Sequence, residues 1–335
     1  MSREGHSGRG RSIARLKARI GRVLRNGGRG VLRCLSIAVI INIEMKQTSR
    51  RNFLGYSALA LSHARRTAGA PASNPLDNIG VQLYTVRSVP PAKAAQTLQA
   101  LHQIGYREAE ATWDSVDKIW TDLQKSGLKP VSVHLDSALF TPENSGKLAA
   151  AISRCKELGF QYAVYPYLPP KQRGGLDTFK TLADTLNRAG AECRDAGIRL
   201  CYHNHAFEFE PMGTTTGMET LLNSTDKTLV GWEMDIFWVS VGGHDPVDML
   251  RKYAGRVPLL HLKNKAEGTP VQYNESMPKT AFREVGNGVL DIPAILHAAS
   301  AAGVQHYFVE QDQTQGDPVE SLRQSYNYLH NLKRS

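Results

Sequence analysis

Ionisable residues recur in pairs, two positions apart, at the ends of several short apolar runs of this chain. The six pairs are Glu108 and Glu110, His134 and Asp136, His203 and His205, Glu233 and Asp235, His261 and Lys263, and Glu310 and Asp312. Burying so many ionisable groups is costly unless each of them has a partner. One bound divalent cation would satisfy several of them at once, so the pattern indicates a metal site.

The spacing of two also selects which donors can share that site. Because side chains alternate across a strand, Asp235, His261 and Glu310 can all point toward one face. With one histidine of the HNH stretch, either His203 or His205, they give two nitrogen and two oxygen donors. Such a set suits Mn²⁺, Zn²⁺, Co²⁺ or Fe²⁺ better than Ca²⁺. We therefore predict one divalent ion as cofactor, with Mn²⁺, Zn²⁺ and Co²⁺ as the leading candidates.

The elements that must position these residues are eight apolar runs separated by segments of helical periodicity. The runs are IGVQLYTV (Ile79–Val86), REAEA (Arg107–Ala111), PVSVHLD (Pro130–Asp136), YAVYPYL (Tyr162–Leu168), RLCYHNH (Arg199–His205), VGWEMDIFW (Val230–Trp238), VPLLHLKN (Val257–Asn264) and HYFVEQD (His306–Asp312). Eight alternations in a region of this length predict a single-domain α/β fold, the closed (β/α)₈ TIM barrel. An open doubly wound sheet is disfavoured, because no G-x-G-x-x-G turn follows the first run. Barrel enzymes build their sites at the carboxyl ends of the strands, where the ionisable pairs fall.

Charge is distributed unevenly along the 335 residues. The formal net charge is +10, but residues 1–74 contain 15 Lys or Arg and only 2 Asp or Glu. From residue 75 onward, 26 basic and 29 acidic residues give a net charge of −3. A nucleic-acid partner would favour a basic surface, so we predict none for the barrel region.

The basic amino-terminal segment resembles a twin-arginine (Tat) export signal. Its stretch TSRRNFLGYSALALS contains Arg50 and Arg51 ahead of a mildly apolar run, and AGAPA (Ala68–Ala72) offers small residues for cleavage. The run is shorter than the roughly 20 apolar residues of a membrane span. We expect delivery to the periplasm by the Tat machinery, with Met45 as the start of translation. The predicted organisation is a disordered upstream extension at 1–44, the signal at 45–74 and the barrel at 75–335.

Several motifs together carry a resemblance to a known family. They are GVQLYTVR, VSVHLD, YHNHAFEF, WEMDIFWV, LLHLKN, FREVGNGVLDIPAIL and YFVEQD, spread from about residue 79 to 332. They resemble the xylose-isomerase-like TIM-barrel superfamily of sugar isomerases and epimerases, which also includes inosose dehydratase and endonuclease IV. The motifs are specific to the superfamily but not to one reaction.

The resemblance implies a metal held at the ends of strands five to eight by Glu, Asp, His and Glu. Asp235, His261 and Glu310 match the last three ligands, whereas the fifth strand lacks the glutamate. Its twin histidines resemble the Y-H-x-H of inosose-dehydratase-like members. This implies His203 as the fourth ligand and His205 as a neighbouring or proton-transfer residue.

The function that the resemblance implies is a divalent-metal-dependent sugar isomerase or epimerase. A metal on vicinal sugar oxygens acidifies the adjacent C–H by stabilising an enediolate, and Glu310 or His205 would be the base. Glu110 and His134 would line the cup and bind substrate hydroxyls.

Two alternatives remain beside that function. The first is a metal-dependent lyase or dehydratase on keto-sugars or 3-keto-glycosides, with Lys263 as electrophile or leaving-group acid. This alternative stays open because a two-base epimerase uses two glutamates, and this chain has only one of them, Glu310. The second, an endonuclease-IV-like phosphodiesterase, is disfavoured by the acidic barrel region. No Arg, Lys and Gly cradle for phosphate stands out, so we expect an unphosphorylated small-molecule sugar as substrate.

Overall fold

Eight parallel strands close into a barrel in the computed structural model, which describes residues 76–334. The predicted extension (1–44) and export signal (45–74) lie outside the described residues. In chain order the strands are β1 (Gly80–Gln82), β2 (Glu108–Thr112), β3 (Lys129–His134), β4 (Tyr162–Tyr165), β5 (Arg199–His203), β6 (Pro211–Met212), β7 (Thr215–Thr216), β8 (Val230–Asp235), β9 (Leu259–Leu262), β10 (Asn264–Lys265), β11 (Phe282–Arg283) and β12 (His306–Val309). The barrel closes in the order β1-β12-β9-β8-β5-β4-β3-β2. The predicted TIM barrel is confirmed, and each of the eight apolar runs supplies one barrel strand.

The helices of the described region lie between these strands. They are α1 (Ala94–Ile104), α2 (Trp113–Ser126), α3 (Ser145–Glu157), α4 (Leu176–Ala196), α5 (Gly217–Ser224), α6 (Ile236–Val241), α7 (Pro246–Lys252), α8 (Ile292–Ala302) and α9 (Pro318–Arg334). In α4, Leu182, Leu186, Ala189 and Cys193 recur at helical spacing and are all buried. Such stripes build the main apolar core between the helices and the barrel. No helix of the described residues is long and apolar enough to cross a membrane.

The lower part of the barrel interior is filled with apolar side chains. This cluster consists of Val131, Tyr162, Val164, Cys201, Leu259 and Phe308. Gly80 leaves room for it, because a Cβ there would lie 2.4 Å from Phe308 Cδ1. This apolar cluster therefore closes the barrel interior below the polar residues that lie further along the same strands.

Most barrel strands are shorter than their apolar runs, and β8 shows one cause. VGWEMDIFW was expected to be extended throughout, but β8 ends at Asp235 and α6 begins at Ile236. Asp235 Oδ1 accepts a hydrogen bond from the Trp238 main-chain N–H at 3.0 Å and so caps the helix. The side-chain cap overrides the strand propensity of the apolar residues that follow.

The long connection after β9 packs onto α6. Its residues 264–265 and 282–283 pair as the antiparallel strands β10 and β11. Phe282 stacks on Phe237 of α6 with ring centroids 4.5 Å apart, and Met277 joins the same buried apolar cluster. The connection thereby forms part of the wall above the carboxyl ends of the strands.

Candidate metal centre and cavity

Four predicted ligands converge at the carboxyl end of the barrel. His203, Asp235, His261 and Glu310, which we call the mouth cluster, each offer one donor atom within 4.8 Å of the others. His261 Nδ1 lies 2.8 Å from Glu310 Oε2 and 3.9 Å from Asp235 Oδ2, and His203 Nε2 lies 3.5 Å from Asp235 Oδ2. All four residues are buried. Barrel closure thus brings together the donors that the sequence separates by up to 107 positions.

Neighbouring elements fix the orientation of these donors. Asp235 uses Oδ1 to cap α6, which leaves Oδ2 toward the two histidines. His203 Nδ1 lies 3.3 Å from the carbonyl oxygen of Pro166. When Nδ1 donates its proton to that carbonyl, the lone pair of Nε2 points into the cluster.

The donor set fits a divalent cation. His203 Nε2 is buried and makes no hydrogen bond. Asp235 Oδ2 accepts no hydrogen bond of good geometry either, although the Lys263 ammonium lies 2.7 Å from it. Two imidazole nitrogens and two carboxylates suit Zn²⁺, Mn²⁺ or Co²⁺. A cation there would satisfy a lone pair that the protein alone leaves without a partner.

Lys263 lies among acids and away from the cavity. Its side chain is 1 % exposed, and Nζ lies 2.7 Å from Glu310 Oε2 and 2.8 Å from Asp312 Oδ1 in addition to its contact with Asp235. Burial alone would lower its pKa, but the three carboxylates outweigh burial and hold the pKa well above its usual value. Lys263 is not among the residues that line the cavity. The geometry is that of a counter-ion to the acids, and the role of Lys263 as electrophile or leaving-group acid stays a prediction.

A second group of donors lies deeper in the barrel. This inner cluster comprises Glu110, His134, Glu233 and His261. His261 Nε2 lies 2.6 Å from Glu110 Oε1, and His134 Nε2 lies 2.7 Å from Glu233 Oε2. Burial lowers the pKa of His134, but Glu110 and Glu233 outweigh it and raise the pKa to about 10. Protonated His134 therefore pairs with both carboxylates.

The two clusters share His261 through opposite ring nitrogens. Nδ1 faces the mouth cluster and Nε2 faces the Glu110 carboxylate. Metal-binding histidines commonly donate their second N–H to a carboxylate, which fixes the tautomer. The mouth cluster contributes two residues, His203 and Glu310, to the wall of the adjoining cavity, and the inner cluster contributes His134. Of the two clusters, only the mouth cluster contains a buried histidine nitrogen without a hydrogen-bond partner among the described residues, Nε2 of His203. The mouth cluster is thus the candidate centre, and the inner cluster supports it from below.

The two residues predicted to bind substrate hydroxyls differ in depth. His134 lines the cavity, with its side chain 11 % exposed. Glu110 is fully buried, does not line the cavity, and also accepts a hydrogen bond from Gln82 Nε2 at 2.7 Å. The structure places Glu110 as a hydrogen-bond partner of His261, and its binding of a substrate hydroxyl stays a prediction.

His205 lies beyond the end of β5 and faces the cavity. Its ring contacts Tyr167 and Trp238, with centroids 4.9 and 5.3 Å away. Burial and the neighbouring His203 lower its pKa well below the usual value. Its Nδ1 is buried without a hydrogen-bond partner. A neutral imidazole with a free nitrogen at a cavity wall can accept a proton from a bound molecule.

Two residues that the sequence did not single out hold this segment in place. Asn204 is fully buried, and its Oδ1 accepts hydrogen bonds from Trp232 Nε1 at 2.8 Å and from the Asp235 main-chain N–H at 3.0 Å. Its Nδ2 donates to the carbonyl oxygens of His205 and Asp235 at 3.3 and 3.4 Å. Glu208 accepts the main-chain N–H of His205 at 2.9 Å. The asparagine between the two histidines was the available signal, because a buried amide requires several partners.

A cavity of about 560 Å³ opens above the mouth cluster. It is lined by Tyr84, Arg87, Thr112, Trp113, Asp114, His134, Leu135, Asp136, Pro166, Tyr167, His203, His205, Trp238, Glu275, Phe282, Glu310, Asp312 and Gln313. Its size falls in the range of about 300–1,000 Å³ that is typical of small-molecule sites. Five carboxylates and a single arginine line it, so the described wall offers no cation cluster for a phosphate group.

Comparisons with known proteins agree with this architecture. The family described as Xylose isomerase-like TIM barrel matches residues 98–332. An inosose dehydratase from Clostridium perfringens is 28% identical over 163 residues, which are 46% of this chain and 54% of that protein. The chain thus spans about half the length of the curated relatives it matches.

Solved structures share the fold along most of their length. A sugar phosphate isomerase/epimerase from Parabacteroides distasonis superposes with a TM-score of 0.60 at 24% identity, covering 78% of this chain and 96% of that one. The IOLI protein with a bound zinc atom gives a TM-score of 0.59 at 16% identity, covering 76% and 96%. At these identities the likeness establishes the barrel fold.

Proposed function

The chain belongs to the Xylose isomerase-like TIM barrel family, as the match over residues 98–332 shows, and on that premise we propose that it enolises a sugar with the help of a divalent metal ion. The reaction would remove a proton from the carbon next to a carbonyl group. The first candidate is a sugar isomerase or epimerase, which returns the proton at another position or on the other face.

The observation that carries the proposal is the mouth cluster at the wall of the cavity. His203, Asp235, His261 and Glu310 would hold the ion, and the unpartnered Nε2 of His203 supports their assignment as ligands. Bound there, a divalent ion would stabilise the negative charge that develops on a carbonyl oxygen. The zinc of the IOLI protein supports zinc as one choice, beside Mn²⁺ and Co²⁺.

The remaining chemistry falls to side chains of the cavity wall. His205 would take the proton of the acidified C–H bond at a nitrogen of its neutral ring, which lines the cavity. Glu310 is the alternative base, since it also lines the cavity. His134 would donate a hydrogen bond to a substrate hydroxyl, while Lys263 and Glu110 keep the donors in position.

A lyase or dehydratase is the second candidate. Two observations favour it: the mouth cluster contains a single glutamate, Glu310, where a two-base epimerase needs two, and the chain is similar to inosose dehydratase. Both candidates share the proton abstraction and differ in whether an oxygen leaves from the next carbon.

Hydrogen exchange in deuterated water tests the shared step. The Mn²⁺-loaded or Zn²⁺-loaded protein is incubated with ketoses, a keto-inositol and 3-keto-glycosides, and products are read by NMR and mass spectrometry. Deuterium in an intact sugar supports the isomerase or epimerase, and an unsaturated or cleaved product supports the lyase. His205→Ala should keep the metal and lose exchange, whereas His244→Ala, a partly buried histidine outside the cavity, should behave as wild type. Absence of deuterium from every substrate, with bound metal verified by elemental analysis, would reject the proposal.

Export through the Tat machinery to the periplasm is a separate proposal, supported by Arg50 and Arg51 in the stretch TSRRNFL. Replacing both by lysine should retain the protein in the cytoplasm, as measured by cell fractionation. A periplasmic protein with both lysines would contradict the proposal.

A further inference from the structure

The cavity wall divides into two halves with different chemistry. The mouth cluster comes from β5, β8, β9 and the residue after β12, which are adjacent in the barrel order. The other four strands, β1 to β4, form the opposite half of the closed ring. A ligand atom held at the mouth cluster therefore leaves the half above β1 to β4 to contact the rest of the ligand.

That opposite half presents aromatic and apolar surface. Tyr84 follows β1, Trp113 follows β2 and Leu135 follows β3, and all three line the cavity. Tyr84 is a 42 % exposed aromatic ring, and Trp113 is half-buried. Tyrosine and tryptophan offer broad apolar faces that stack against flat rings.

The Tyr84 ring is held in place rather than free. The Arg87 guanidinium carbon lies 3.8 Å from the centroid of the Tyr84 ring. Arg87 also donates hydrogen bonds to the carbonyl oxygens of Tyr84 at 2.9 Å and Asp312 at 2.6 Å. One arginine thus joins the segment after β1 to the segment after β12 and leaves part of the ring open to the cavity.

Polar groups near these rings are suited to hydroxyls rather than to anions. Asp114 and Asp136 line the same half, and Arg87, which is engaged as described, is its only arginine or lysine among the described lining residues. Carboxylates accept hydrogen bonds from hydroxyl groups and repel phosphates. Aromatic faces beside carboxylates therefore select a ring that is neutral.

We propose that Tyr84 and Trp113 form an outer subsite that binds the second ring of a glycoside while its first ring faces the mouth cluster. The proposal rests on the proposed function and deepens it, because it names the substrate class as an unphosphorylated glycoside instead of a free monosaccharide. The second ring is a sugar or an aromatic aglycone, since both offer a neutral, flat face to Tyr84 and Trp113.

Binding of unreactive glycosides tests the subsite without turnover. Methyl and phenyl β-glycosides of glucose and of galactose, together with cellobiose, are titrated into the metal-loaded full chain by isothermal titration calorimetry. For glucose, for galactose or for both, the phenyl glycoside should bind about tenfold more tightly than the methyl glycoside of the same sugar, because its ring buries additional apolar area. A matching gain for cellobiose would assign the subsite to a sugar ring, and its absence would assign it to an aromatic aglycone.

Two variants test whether the preference for phenyl glycosides comes from Tyr84 and Trp113. Tyr84→Ala and Trp113→Phe should each reduce the phenyl preference, and Tyr84→Ala carries little risk of unfolding because the side chain is exposed. Tyr273→Ala is the matched control, since Tyr273 is another partly exposed tyrosine but does not line the cavity, and it should keep the preference.

Equal affinities within every methyl and phenyl pair, including no measurable binding of either, would overturn the subsite. A preference that survives in both variants would overturn it as well. Failure of the proposed function is distinguishable, because it would abolish deuterium exchange and leave the phenyl preference in place. Loss of the preference with exchange intact would remove the subsite alone.

Discussion

Replacing Asn204 by alanine tests whether one buried amide holds the metal donors of two strands together. The alanine would leave two buried donors, Trp232 Nε1–H and the main-chain N–H of Asp235, without their acceptor. A buried donor left unpaired costs about 1–3 kcal/mol. Two of them predict that the unfolding free energy of the metal-free protein falls by about 2–6 kcal/mol.

The same change should weaken metal binding. Asn204 ties the main chain of Asp235 to that of His205, so its loss frees the tip of β5 relative to β8. We expect metal affinity to fall about 10–100-fold, as for other residues that orient ligands from outside. Urea unfolding in the presence of a chelator measures the stability, and competition with a chromophoric chelator measures the affinity.

Two further variants separate positioning from general destabilisation. Asn187→Ala removes a partly exposed amide that bonds to Ser224 O at 3.1 Å and accepts from the Asp226 N–H at 2.7 Å. It should cost about 1 kcal/mol and leave metal affinity unchanged. Trp232→Phe removes one donor but keeps the hydrogen bond that the Asp235 main-chain N–H donates to Asn204 Oδ1, so it should lower stability and spare metal affinity. The reasoning is refuted if Asn204→Ala binds metal like wild type, or if Trp232→Phe weakens binding equally.

The remaining predictions concern single side chains of the two clusters. His203→Ala should lose the bound metal, while His205→Ala should keep it and lose turnover, by elemental analysis and deuterium exchange; the opposite result would interchange the two roles. Glu110→Ala removes the acceptor 2.6 Å from His261 Nε2 and should weaken metal binding about 10–100-fold in titrations. Unchanged metal affinity would show that Glu110 does not orient His261 for metal binding. Although burial opposes it, the carboxylates raise the pKa of His134 from 6.5 to about 10, so the stability that its charge contributes is complete below pH 6.5 and is lost as the pH rises through about 10. His134→Gln should flatten that part of the pH profile of metal-free unfolding; a slope like that of wild type would contradict the assignment.

The strand count and the face of each donor were predictable because both are local properties. Apolar runs define the strands, and the spacing of two places Asp235 with its neighbours on one face. The depth of a residue along that face is not local. Glu110 and His134 were predicted to share a role, yet only His134 reaches the cavity. The register between β2 and β3 shifts between Ala109 and Glu110, and such a shift leaves no mark in the sequence of either strand.

Residues that act through distant partners were the hardest to identify. Asn204 depends on Trp232 and Asp235, which are 28 and 31 positions away. Lys263 was assigned to chemistry because it follows His261, but barrel closure surrounds its ammonium with three carboxylates. The identity of these partners follows from which strands become neighbours, and no local pattern encodes that.

Asp235 and His203 differ in how much of the architecture depends on them. One oxygen of Asp235 begins helix α6 while the other faces the donors, so only a short carboxylate can serve both purposes. The His203 side chain bonds to the carbonyl of Pro166 and packs its ring against those of His134, His205 and His261, but it caps no helix. Substitution at 203 would therefore remove a donor and its ring packing but leave the cap of α6 in place, whereas substitution at 235 would remove both a donor and the cap. Position 203, where the donor has no second task at a helix terminus, is also where this chain departs from the ligand pattern implied by its family resemblance.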